Sequence, residues 1–147
     1  KLIINKQLDI EYILSNKLDY IIDLFEKKGY KNEQNVMAVS IIKKSLSALC
    51  NSKDGQWIYQ VHEDDQFELK HIVMLGDDFE IRIPDRTFIH NNTRWIIDYK
   101  VLFGDKDLSI EAKKHLRQLN IYESLFDDKY PVIKAIYFAP QGKLIRL

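Results

Sequence analysis

The hydrophobic period of this chain changes once, past Asn51-Ser52-Lys53-Asp54-Gly55, and that change limits the possible folds more than any other feature. Before it, Leu8, Ile10, Tyr12, Ile13, Leu14, Leu18, Ile21, Ile22, Leu24 and Phe25 recur at three-to-four spacing. Lys27-Lys28-Gly29 then supplies a basic last turn and a glycine stop, so the spacing predicts a helix over 8–25. A second helix fits 32–49, with Val36, Val39, Ile42, Leu46 and Leu49 on one stripe. Amphipathic helices of this kind pack on a core and carry no chemistry of their own. Asn51 to Gly55 is a loop by composition, and beyond it the pattern alternates or is continuously apolar. Strands are expected over 67–75, 79–89 and 95–103, a helix over 109–126, and two short strands over 132–138 and 144–147. Two helices, three strands, a helix and two strands predict an α/β fold around a mixed β-sheet flanked by helices, with a helical lead-in over 1–50.

Length and charge narrow the function. The chain has 147 residues with 46% hydrophobic, enough for one globular domain with a sizeable core and little room for a second. Its 22 Lys+Arg balance 22 Asp+Glu, so any DNA contact must be local and not the work of a basic whole. Cys50 is the single cysteine, which excludes a disulfide framework and a cysteine-rich zinc site and suits a reducing, cytoplasmic setting. His62, His71, His90 and His115 show no ligand spacing, and no apolar run approaches a membrane span. A chain starting at Lys1 and not at Met reads as a piece of something longer.

The turns fix which charges meet. If Asn91-Asn92 is a two-residue hairpin loop, the register brings Asp85 opposite Asp98, with β-carbons about 4.5–5.5 Å apart on one face. With Gly76-Asp77 as the loop of the preceding turn, Glu68 faces Asp85 and three carboxylates form a row across three strands. A register one residue later brings Lys70 there instead. Like charges placed opposite each other destabilise a sheet, and Asp98 and Lys100 are the two polar interruptions of the otherwise apolar run from Trp95 to Val101, two positions apart and on one side. A divalent cation converts that repulsion into coordination, and an all-oxygen donor set points to Mg²⁺ or Mn²⁺. The other reading is a solvated face, or carboxylates paired with Lys100 alone. Hard cations on paired carboxylates beside a lysine can hydrolyse a phosphodiester.

Pro84-Asp85-Arg86, then Ile96-Ile97-Asp98-Tyr99-Lys100, then Gln118-Leu119-Asn120-Ile121-Tyr122 resemble the motifs of PD-(D/E)xK nuclease domains, and most of all the RecB/AddA branch that closes many UvrD/Rep-type helicases. The likeness covers 56–147. It implies a restriction-endonuclease-like core, with Asp85 and Asp98 as metal-binding acids, Lys100 as catalytic lysine, and Gln118 and Tyr122 as a pair positioning lysine and DNA. Glu68 resembles an acid common just before the first core strand. Arg86 either contacts a phosphate or offsets Asp85. Gln118 and Tyr122, at i and i+4, share one helical face with Glu111 and His115; the plain alternative is an interfacial polar pair.

The resemblance further implies a Mg²⁺- or Mn²⁺-dependent deoxyribonuclease, exonuclease or endonuclease, acting on single-stranded ends in DNA repair and recombination, with helicase domains upstream. No Gly-x-x-x-x-Gly-Lys loop occurs, so these residues are not the ATP motor. The branch often carries a Gly-x-x-x-His element whose histidine ligates metal, and it has no counterpart here. Its absence leaves two accounts: the element lies upstream, or the domain is a nuclease-like module that binds DNA or a protein partner without cutting. A purely structural α/β domain is the third reading.

Overall fold

The computed structural model describes residues 12–13, 16–30, 32–75, 78–127 and 129–147. The chain condenses into two compact units, one of residues 1–60 and 139–143, the other of 61–138 and 144–147.

The first unit holds α1 (Leu18–Lys27), α2 (Asn32–Asn51) and α3 (Lys53–Tyr59). The expected first helix is present from Leu18; residues 8–11 and 14–15 lie outside the described ones. Gly29, at φ +85°, closes α1 as the sequence suggests, its N–H bonding Glu26 O at 2.9 Å. The expected loop at 51–55 is instead a helix–helix junction: α2 continues to Asn51, and the Ser52 hydroxyl caps α3 by accepting the Gly55 N–H at 2.9 Å. Gly55 permits the tight approach, since a Cβ there would lie 2.6 Å from the carbonyl oxygens of Ala48 and Leu49.

The second unit is built on a five-stranded mixed sheet. Its strands are β1 (Glu63–Phe67), β4 (Arg86–His90), β5 (Thr93–Lys100), β6 (Val132–Phe138) and β7 (Lys143–Arg146), the last starting one residue inside the first unit. β4 is antiparallel to β1 and β5, whereas β5 and β6 are parallel and joined through α4 (Leu108–Lys113) and α5 (Leu116–Glu123). The core on the helix side comprises Ile96, Ala112, Leu119, Tyr122, Ile136 and Phe138.

Two expected strands are broken. Residues 67–75 end one strand at Phe67 and begin β2 (His71–Leu75), with Glu68 between them at φ +51°. Residues 79–89 divide into β3 (Asp78–Arg82) and β4 at Ile83-Pro84-Asp85, because Pro84 has no N–H for a ladder. β2 and β3 therefore form their own two-stranded sheet, with Leu75 opposite Asp78 and His71 opposite Arg82; the turn 76–77 lies outside the described residues. The helix expected over 109–126 divides at Lys114-His115, whose N–H groups bond three residues back to Glu111 and Ala112; no glycine or proline marks the break. Among the described residues no helix is long and apolar enough to cross a membrane.

Candidate functional site

The β4–β5 hairpin sets the site. Asn91 and Asn92 take φ +52° and +55°, the left-handed pair a two-residue hairpin turn requires, and His90 pairs with Thr93. The register runs to Arg86 opposite Ile97, which brings Asp85, one residue before β4, level with Asp98. Strand alternation puts Asp98 and Lys100 on the Ile96 side of the sheet, under the helices.

Asp98 is 2% exposed. Lys100 Nζ lies 2.5 Å from its Oδ2, a buried oxygen with this ion-pair contact and no geometrically formed hydrogen bond. Asp85 is half-buried, and its Oδ2 accepts the Tyr99 backbone N–H at 2.8 Å. Burial pushes the Asp85 carboxyl above the usual range; the Tyr99 N–H pulls it back, the adjacent Asp98 raises it again by charge and hydrogen bonding, and Lys100 opposes. Two carboxylates thus compete for one site with one ammonium beside them.

The donor set suits a hard divalent cation. Mg²⁺ commonly uses one or two carboxylates and keeps several waters, and Asp98 Oδ2 is a buried oxygen lacking a directed partner. Among the described residues no three His, Cys, Asp or Glu side chains form a metal-binding group. Glu68 does stand opposite Asp85, its N–H bonding Asp85 O at 3.0 Å, but it is exposed, left-handed and outside any strand. The three-carboxylate row expected from an unbroken strand is therefore replaced by a pair.

Arg86, expected to contact a phosphate or to offset Asp85, is bound by Asp65. It is fully buried, with Nε 2.7 Å from Asp65 Oδ1 and Nη2 2.6 Å from Asp65 Oδ2, and its guanidinium lies 4.7 and 4.8 Å from the ring centres of Phe67 and Phe88. Its Nη1 lies 3.5 Å from the hydroxyl of Tyr99, which alternates with Asp98 along β5, so Arg86 is on the face opposite Asp98. Gln118 Nε2 donates to the Tyr122 hydroxyl at 2.8 Å, and Tyr122 is buried in the core that also holds Ile96. The pair is thus an internal hydrogen bond on the helix covering the face of Asp98. Glu111 is engaged by Lys114 at 2.6 Å.

Asp65 and Tyr99 escaped the sequence reading. A signal for Asp65 existed: an arginine on an apolar strand face beside Phe88 needs an acid, and Asp65 lies two residues before Phe67, which pairs with Arg86. Tyr99 acts through its backbone N–H, which no side-chain pattern reveals. Neither the models of known protein families nor the curated proteins give a match to this sequence.

Proposed function

We propose that this chain is a divalent-cation-dependent deoxyribonuclease domain with a restriction-endonuclease-like core of the RecB/AddA kind, serving a UvrD/Rep-type helicase in DNA repair and recombination. One observation carries the reading: Asp85 and Asp98 are neighbours across the β4–β5 hairpin, with Lys100 Nζ 2.5 Å from Asp98. Asp85 and Asp98 would hold Mg²⁺ or Mn²⁺, which when bound polarises a phosphoryl oxygen and acidifies water. Lys100, about a third exposed at its side chain, reaches from the buried aspartate toward solvent and can orient the attacking water or steady developing charge. Tyr122, fixed in the core, lets Gln118 be held at a set position on α5.

The test is Mn²⁺-dependent cleavage of labelled single-stranded DNA by this chain and by Asp98→Asn. Cleavage is expected to fall by at least about 100-fold, two tenfold steps in the barrier. Equal cleavage by both rejects the reading. Among the described residues no group of three metal-ligating side chains accompanies the pair, which leaves a second reading, a module that binds DNA without cutting; binding without cleavage by either chain selects it.

A further inference from the structure

β1 ends beside the acidic pair: Asp65 binds Arg86, the residue after Asp85, and Glu68, just past the strand, bonds the Asp85 carbonyl. A bulge between Glu63 and Gln66 interrupts its pairing with β4, and Asp64 there has φ +49°. The extra residue re-aims two consecutive acids. Asp64 Oδ2 meets Arg94 Nη2 at 2.8 Å, while Asp65 takes Arg86 through both oxygens. The second contact is a fork-to-fork ion pair with no exposed arginine surface.

Arg86 is the residue that follows Asp85, and its Nη1 also lies 3.5 Å from the hydroxyl of Tyr99, whose N–H binds Asp85 Oδ2. Three residues past Asp65, the Glu68 N–H holds the Asp85 carbonyl. The end of β1 thus secures Asp85 from its own carbonyl and from the next side chain, while β5 secures its carboxylate.

We propose that Asp65 is a positioning residue for the cation centre: by clamping Arg86 it keeps Asp85 turned toward Asp98, and the centre binds its cation tightly only while that clamp is closed. This rests on the reading of Asp85 and Asp98 as cation ligands. Removing a group that orients a metal ligand typically weakens metal binding 10- to 100-fold. Losing one half of a buried ion pair mainly destabilises the fold, whereas replacing both halves by apolar residues can leave stability intact.

The experiment is calorimetric titration of the 147-residue chain with Mn²⁺, beside its thermal melting. Wild type should bind Mn²⁺, and Asp98→Ala should not. The double variant Asp65→Leu/Arg86→Met should melt as wild type does and bind Mn²⁺ at least about 10-fold more weakly. Wild-type affinity in a folded double variant overturns the positioning role and leaves the cation centre standing. Absence of Asp98-dependent binding in wild type overturns the centre itself, and the positioning role with it. If the double variant unfolds, Asp65→Glu decides by the same comparison: it keeps both charges but lengthens the clamp, so weaker binding supports the role and unchanged binding overturns it.

Discussion

That Asp85 lies across from Asp98 was readable from the sequence because the Asn91-Asn92 turn fixes the register, and Asp98, a mid-strand acid after Ile96 and Ile97, needed an explanation. The surroundings were not readable. Arg86 is bound by Asp65 because a bulge, invisible to strand periodicity, turns that acid inward. His71 has no metal-ligand spacing, yet its surroundings give a residue-scale prediction. Its ring meets Phe126 edge-on at 5.1 Å between centres, its Nε2 is buried without a hydrogen-bond partner, and burial pushes the imidazole below its ordinary value. The unfolded chain then takes a proton near pH 6.5 that the folded one resists, so this contribution to stability is complete above that pH. It is lost as pH falls from about 6.5 through the lower folded value. Urea midpoints at pH 7 and pH 5 should show a larger acid loss for wild type than for His71→Phe. Equal losses would show that His71 does not titrate with folding.

The elements that followed expectation are those whose ends carry explicit signals: Gly29 behind α1, the asparagine turn before β5, and 132–138 as β6. The two strand failures share a cause, the reading of an apolar pattern through a residue that interrupts the backbone. Pro84 detaches β3 from β4, and Glu68 detaches β1 from β2. The resulting β2–β3 hairpin turns Ile72, Met74, Phe79 and Ile81 to solvent, all more than half exposed, because the register pairs Ile72 with Ile81 and Met74 with Phe79 on one face. Apolar residues in that hairpin should therefore contribute little to stability. Phe79→Thr is expected to change the unfolding free energy by no more than about 0.5 kcal/mol. Phe88→Ala, at a position with no exposed surface, should cost about 3–5 kcal/mol. Denaturant titration of the two variants checks the contrast, and equal losses would mean that the hairpin face is covered in solution.

At the scale of the molecule, length and composition predict one domain, the helical pattern a lead-in over 1–50 and the family resemblance a core over 56–147; the compact units run to Gln60 and from Val61, with 139–143 returning to the helical one. No compositional shift marks that return. Ala139–Gln141 is a short 3₁₀ turn, and a Cβ on Gly142 would fall 2.7 Å from Ser52 Oγ, so this segment is fitted closely to the helical unit. Deleting 139–147 should lower amide protection in α2 as well as in β6; hydrogen exchange confined to β6 would show that the helical unit does not need the segment. Each unit is thus discontinuous in sequence. A helical cassette cannot be exchanged for another by one splice near residue 60, and any chimaera must carry two further seams at the far end of the chain.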